Sequence, residues 1–398
     1  MGSTLTNAND REAQSARLHQ PFPMAHYQDC LHYVQSDLRA RGLAAGVLVD
    51  PENIFWLTGY RSIGYWTFQA LIVPREGLPI LVTRIFNKPL AQETPTIGGV
   101  EVIGDGDDPA ASLDAALRRH MGEAGDIGFE TGARNFTGLM LRALEQRAAT
   151  YRIIDWNGVC EERRRLKTPA QLERMRSAAN VAVAGLDEAM RTIAPGRTEN
   201  DVAAAMLWGA VGAGSDFFRV PLVVTGPATA LCFTTWERRA IEPGHVVLLE
   251  SAACIDRYHA MIARTCIVGK ASEEHRAVSG LLIDMLNRAI DALRPGATSG
   301  EVFAAANRAL EGSRHYRQAG QRVGYSIGIG FPPNWAEGHF LDLKANDPTV
   351  LEPGMTFHIV PSMFTPDFGM WFSESVAVTD QGAEVLTSYP RQLFELDF

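Results

Sequence analysis

The 398-residue chain has little that would tie it to a membrane, a nucleic acid or a disulfide framework. No run of eighteen apolar residues occurs, and the N-terminus shows no charged-then-apolar leader, so a cytoplasmic protein without a membrane span is expected. Basic residues are outnumbered, with 37 Lys and Arg against 46 Asp and Glu and a formal net charge of −9. Neutralising phosphates needs a basic surface, so this balance disfavours a nucleic-acid partner. The cluster Arg163, Arg164, Arg165 and Lys167 reads as a solvated helix start. The five cysteines, Cys30, Cys160, Cys232, Cys254 and Cys266, are odd in number, scattered and without a CxxC pair. That pattern disfavours a disulfide framework or a cysteine zinc site and fits reduced, mostly buried thiols.

What is present is enough apolar sequence for two cores, at 46% hydrophobic and 21% charged residues. Residues 1–20 are polar and aperiodic and read as a flexible tail. Over 21–160, helical spacing from Met24 to Gly42, a strand at Val47–Val49 and further helix and strand runs up to Ile154 predict an α/β domain. A second domain, 161–398, opens near Lys167, where Thr168 caps a helix that has Pro169 at its first position. Inside it one pattern occurs twice. A long helix runs towards Thr192, Pro195-Gly196 stops it and Thr198 restarts; a helix over 273–293, Pro295-Gly296 and Thr298 then repeat the sequence of events. The spacing of about a hundred residues suggests an internal duplication, and the class is α/β (α+β).

Three side chains in this half have the chemistry of a site. Glu250 ends the apolar run from Val246 and is followed by Ser251, Ala252 and Ala253. Desolvation there disfavours the charged form, which suits a general base acting on water near neutral pH; a glutamate hydrogen-bonded across a sheet is the alternative. His259 either orients water, polarises a carbonyl or amidine and shuttles a proton, or packs structurally beside Tyr258. Glu374, an acid in an otherwise uncharged run, either meets a cationic group of a substrate or pairs with Arg264 in the core. Aromatic residues near these motifs, among them Trp66, Phe68, Phe233 and Trp335, suit a small delocalised cation, each good contact being worth roughly 0.5–2 kcal/mol.

The junction Lys167-Thr168-Pro169, the turn Thr225-Gly226-Pro227, the strand pair from Glu250 to Thr265, Gly324 to Gly330, Leu351 to Phe357 and Glu374 to Gly382 resemble the creatinase/aminopeptidase P family. The resemblance covers residue 22 to the end. It implies a creatinase-like α/β N-terminal domain followed by a duplicated pita-bread domain. Metal-dependent members hold their ions with two aspartates, a histidine and two glutamates, and the matching positions here are Glu250, Met261, Tyr325, Val360 and Ser373. A thioether cannot hold a hard divalent ion, so no metal and no other cofactor is expected. Creatinase itself is metal-free, but its key histidine falls near Phe233 and its other polar positions near Ala263, Val360 and Ser373, which disfavours that activity.

A closer resemblance is to a metal-free branch that includes ectoine hydrolase. It rests on Glu250 with Ala252, Arg257 to Ala260, Ala263 to Thr265, Gly324 to Trp335, Leu351 to His358, Glu374-Ser375 and Pro390 to Phe394. This implies a metal-independent hydrolase that opens a C–N bond of a small cyclic amidine or zwitterion, ectoine or a close relative, to an N-acetyl-diaminobutyrate-type product. Glu250 would activate water, with His259 and Glu374 in catalytic roles. Substrate contacts would come from Trp66, Phe68, Arg84, Asn87, Phe233, Tyr258, Arg264, Tyr325, Trp335 and His358. The branch carries an acid in the region where Asn87 stands here, which leaves a related substrate open. The family also implies a homodimer in which one subunit's N-terminal domain closes the other's site. Alternatives are a creatinase-like amidinohydrolase, and an X-Pro metallopeptidase homologue that has become a noncatalytic small-molecule binder.

Overall fold

The computed structural model describes residues 18–122, 125–148, 150–217, 221–315, 322–337 and 340–398, so most of the expected N-terminal tail lies outside the described residues. The chain divides into two units, Met1–Arg164 and Arg165–Phe398. The division falls a few residues beyond the expected boundary at 160. The cause is local: helix Val159–Arg164 is tied to the first unit by Arg164, which donates to Asn53 Oδ1.

The first unit is built on a six-stranded sheet, in spatial order Gly99–Ile103, Ile80–Arg84, Ala70–Pro74, Ala45–Leu48, Asp126–Phe129 and Arg152–Asp155. Ala45–Leu48 pairs antiparallel with Ala70–Pro74 and parallel with Asp126–Phe129. Helices Met24–Ala40 and Pro109–Met121 accompany the sheet, and Asp108 caps the second by accepting from Ala110 N–H. Two glycines let Trp156 lie flat on the strands. A Cβ at Gly46 would come within 2.2 Å of the indole and one at Gly128 within 2.7 Å, while Trp156 Nε1 donates to Asp37 at 2.7 Å. Helix Pro51–Thr58 was not expected. Asp50-Pro51, just past the strand expected at Val47–Val49, is a helix start with proline at the first position.

The second unit carries the expected duplication in its hydrogen bonds. Thr198 and Thr298 each form a reciprocal capping box, with Asp201 and Glu301, at the start of helices Glu199–Gly212 and Ser299–Asn307. Just before each cap the chain makes the same clasp. Gly196 N–H donates to Ile241 O and Ile241 N–H to Arg197 O; Gly296 N–H donates to Leu351 O and Leu351 N–H to Ala297 O. Helices Pro169–Thr192 and Glu273–Ala292 are the corresponding long members.

Each copy contributes a sheet. The first runs Phe394–Leu396, Tyr258–Val268, Val246–Ile255, Leu222–Thr225, and the second Asp342–Lys344, Arg322–Ser326, Thr356–Ile359, Glu374–Thr379, Gly382–Val385. Apolar residues from both, such as Leu248, Ile267, Phe357 and Val376, meet in one core with helix Glu273–Ala292. Val246–Ile255 runs five residues past its expected end at Glu250, because continuous pairing with Tyr258–Val268 overrides the weak strand preference of Ser251 to Ala253. The hairpin closes through Asp256 and Arg257, both at positive φ, 49° and 67°. Asp256 pairs with Arg174 at 2.8 Å, and the Arg257 guanidinium lies 4.4 Å from the Phe331 ring centroid, which together hold this uncommon turn. Among the described residues no helix is long and apolar enough to cross a membrane.

Candidate active site

In the hairpin Glu250 stands opposite Ala263, Ala252 opposite Met261 and Cys254 opposite His259. Opposed residues share a face and alternate residues along a strand share it too, so Glu250, Met261, Ala263 and His259 all lie on one side. Glu250 is 4% exposed. One side chain brought to it is His358, from the neighbouring sheet, whose Nε2 lies 3.9 Å from Glu250 Oε1.

His358 is fully buried and held at both nitrogens. Nδ1 meets Tyr325 Oη at 2.8 Å, and Nε2 meets Ser373 Oγ at 2.6 Å. Tyr325 Oη also accepts from Trp335 Nε1–H at 2.9 Å, and Ser373 Oγ accepts from the Ala263 N–H at 2.7 Å. The strand register supplies this arrangement: Tyr325 is opposite His358 on adjacent antiparallel strands. Burial, assisted by the positive charge of Arg322, pulls the His358 imidazole down to about 3, so it is neutral. Tyr325 and Trp335, expected as substrate contacts, therefore position His358.

His259 occupies a different place. It sits four ladder positions from Glu250, about 13 Å along the strand. Its Nδ1 donates to Arg257 O at 2.9 Å and its N–H to Gly328 O at 2.8 Å. Nε2 is buried and accepts nothing among the described residues. Burial lowers this imidazole to about 4. Sequence spacing made His259 the natural partner of Glu250, but the register gives that position to His358, a residue whose place depends on pairing between distant segments.

Glu374 and Arg264 pair with each other. Arg264 Nη2 contacts Glu374 Oε1 at 2.7 Å, and neither side chain is exposed. Arg391 Nε adds a bond at 2.8 Å, Thr387 Oγ1 donates to the other oxygen, and Arg264 also donates to the carbonyls of Ala263, Ser373, Tyr389 and Pro390. The catalytic reading of Glu374 and the substrate-binding reading of Arg264 are corrected accordingly. Both are consumed in a core ion pair on the side of the strands away from His358.

Phe233 is 85% exposed at a positive φ of 64° and takes no part in the buried group. Its neighbour Cys232 does feel the site: burial pushes its thiol up, a backbone hydrogen bond opposes, and the Glu250 charge adds to the rise. Tyr258 is buried in the hairpin, bridged to Ile329. In the first unit, Asn87 accepts from Ser62 Oγ at 2.8 Å and donates to Thr83 Oγ1 at 3.0 Å, Arg84 pairs with Asp105, Phe68 packs on the sheet core, and Trp66 is exposed.

The donor set does not fit a metal. Of the five positions, Val360 offers hydrocarbon, Met261 a soft thioether, and the Tyr325 and Ser373 oxygens are already engaged, which leaves one carboxylate. Among the described residues, the group of three acidic, histidine or cysteine side chains close enough to share an ion is Asp50, Glu130 and Glu161, in the first unit. There Glu130 accepts from Val49 and Asp50 N–H and from Asn53, a structural use of its carboxylate.

Comparison with known proteins agrees with this architecture. Residues 173–380 match metallopeptidase family M24, and residues 31–166 the creatinase/prolidase N-terminal domain. An ectoine hydrolase of Halomonas elongata is 27% identical, with 94% of this chain and 98% of that protein aligned. An uncharacterized hydrolase/peptidase of Sinorhizobium fredii is 31% identical over 94% and 97% of the two chains. Dipeptidase PepE of Mycobacterium ulcerans has a TM-score of 0.81 at 24% identity, covering 95% of this chain and 100% of its own. The prolidase of Thermococcus sibiricus gives 0.82 at 22%, with 93% and 99% covered. The creatinase-like domain and the pita-bread domain are thus both present.

Proposed function

The chain belongs to metallopeptidase family M24 as one of its hydrolases, and from that membership we propose that it acts without a metal on a C–N bond of a small cyclic amidine or zwitterion, ectoine or a close relative. The observation that carries this reading is what stands at the five ligand positions. Glu250, buried, is the carboxylate at the first of them, with uncharged side chains at the other four and a neutral histidine 3.9 Å away. A carboxylate so placed removes a proton from water as the water adds to the amidine carbon. Ring opening at that carbon gives the N-acetyl-diaminobutyrate-type product. The likeness to ectoine hydrolase supports the substrate class, and Asn87 keeps a near relative of ectoine in play.

The proposal includes a homodimer, in which Trp66, Phe68, Arg84 and Asn87 of one subunit close the site of the other. Supporting it, Ile63, Trp66, Ile85 and Phe86 are large apolar side chains left exposed in the first unit. A cytoplasmic setting completes the reading. Proton NMR of the protein with ectoine, and with creatine and an X-Pro dipeptide in parallel, tests it. Ring-opened product from ectoine alone is the expected result; cleavage of the dipeptide, or no turnover of any of the three, contradicts it.

A further inference from the structure

The duplication in the second unit offers an internal comparison for the surface residues of its helices. The capping threonines Thr198 and Thr298 set helices Glu199–Gly212 and Ser299–Asn307 in step, a hundred residues apart. Burial keeps that register even where the second helix passes into the 3-10 turn Arg308–Leu310. Val202, Met206 and Ala210 are buried, and so are Val302, Ala306 and Leu310. Positions 204, 208, 211 and 212 are exposed in the first copy, and 304, 308, 311 and 312 in the second. The outward faces thus correspond in position and differ in chemistry. The second copy carries Arg308 and Glu311, an ordinary solvated face, where the first carries Trp208 and Val211, 78% and 56% exposed.

Single exposed apolar side chains are common and call for no partner. The first copy shows more than that. No charged residue stands between Asp201 and Asp216, so this helix is uncharged on the side that faces water as well as on the side that packs. Ala204, Trp208 and Gly212 follow at four-residue spacing, which lines them up along the helix, with Val211 beside them. The support beneath is closely packed. A Cβ at Gly209 would come within 2.8 Å of Ala184 O and one at Gly185 within 3.0 Å of Met206 O, so the helix lies backbone to backbone on Pro169–Thr192. On that flanking helix Asp187 and Glu188 both pair with Arg191, at 2.5 and 3.1 Å.

We propose that the outward face of Glu199–Gly212 is a contact between two copies of this chain, paired helix against helix about a two-fold axis. Trp208 is a bulky residue with a small one a turn away on either side, Ala204 and Gly212. Two such rows run antiparallel interlock, each indole lying over a small residue of the other copy, ridge into groove. Charge favours a second copy as the occupant. Each chain carries a formal net charge of −9, so two copies repel on approach, and an uncharged stripe is where they meet at least cost. Area sets the strength. The stripe offers on the order of 400 Å² per copy, about half of it from Trp208, so a pair buries about 800 Å², short of the roughly 1,200–2,000 Å² of a stable interface. The pairing is therefore reversible and concentration-dependent. It is independent of the catalytic reading and of the apolar residues exposed in the first unit.

Sedimentation of the full-length protein from about 1 to about 200 µM tests the contact. The weight-average mass is expected to rise with concentration towards twice its dilute value. Trp208→Arg with Val211→Glu, which gives the first copy the residues of the second at these positions, is expected to hold the mass at the dilute value. Trp208→Ala alone is expected to weaken the association about tenfold or more. Ala204→Glu is a second route: it leaves Trp208 in place, sets a carboxylate in the groove and is expected to abolish the rise as well. Thermal unfolding of each variant in dilute solution, unchanged from the parent, shows that it is folded. The doubling supports the contact whether it starts from one chain or from the homodimer proposed above. A mass that stays flat in the unaltered protein, or a rise that persists in both the double variant and Ala204→Glu, overturns it, and the flat result assigns the face to a partner other than this chain.

Discussion

Two buried polar groups lie on opposite sides of the same short stretches of chain, and they are organised in opposite ways. Arg264 and Glu374 face one side, in a charged group where Arg391, Thr387 and four carbonyls complete the bonding. Their immediate neighbours Ala263 and Ser373 face the other, where Ser373 Oγ accepts from the Ala263 N–H and meets His358 Nε2 in a group of uncharged side chains. The charged group is saturated and has nothing left for chemistry. The neutral group stands next to Glu250, with His358 Nε2 3.9 Å from its carboxylate. An isolated buried charge is costly, so saturation stabilises the first; the second is built from neutral groups and strands no charge.

The sharpest way to break this contrast is to remove one partner on each side. Glu374→Ala leaves Arg264 buried and unpaired, and the expected loss is about 3–5 kcal/mol in urea unfolding of the second unit. Glu250→Gln is expected to leave unfolding nearly unchanged while turnover falls by about a hundred- to ten-thousand-fold, measured under saturating substrate. If both substitutions act mainly on stability, the two groups are alike and the distinction is lost. Replacing the pair together, Arg264→Met with Glu374→Leu, is expected to cost less than Glu374→Ala alone, because no charge is then stranded.

A smaller effect concerns His259 and His358 of the second unit. Burial holds His259 at about 4 and His358 at about 3, whereas an unfolded chain titrates its histidines near 6.5. Each is neutral when folded, so its stabilising contribution is complete above the unfolded value and is lost as pH falls from about 6.5 towards the folded value. His259→Gln is expected to reduce proton uptake on unfolding by about half a proton at pH 6.5, rising to nearly one at pH 5. Calorimetry in buffers of differing ionisation heat measures that uptake, equivalent to about 1.4 kcal/mol per pH unit.

Much of the fold was legible because its signals are local. Thr168, Thr198, Ser272 and Thr298 all form capping boxes, and glycines at 196 and 296 take the positive φ that ends each long helix segment. The buried carboxylate was legible as well, since Glu250 ends an apolar run that holds no other acid. His358 and Ser373 were harder to place beside it. They sit more than a hundred residues from Glu250, and it is the bonding of Ser373 with Ala263 of the hairpin, and of His358 with Ser373, that brings them to it. His259 was misassigned as the partner for the same reason. Nearness in sequence favoured it, but a strand places a residue nine positions on and across the turn four ladder steps away. For Glu374, sequence left two roles open, and the number of donors converging on its carboxylate decides for the core pair.

Metal independence is the centre of the functional reading, and turnover measured against metal content tests it most directly. Protein is treated with chelator until elemental analysis finds well under one divalent ion per ten chains, and ring opening of ectoine is followed by NMR before and after manganese, zinc or cobalt is restored. Undiminished turnover in the stripped protein, unchanged by added metal, is the expected result. Turnover lost on stripping and recovered in proportion to bound metal would contradict it and return the site to metallohydrolase chemistry.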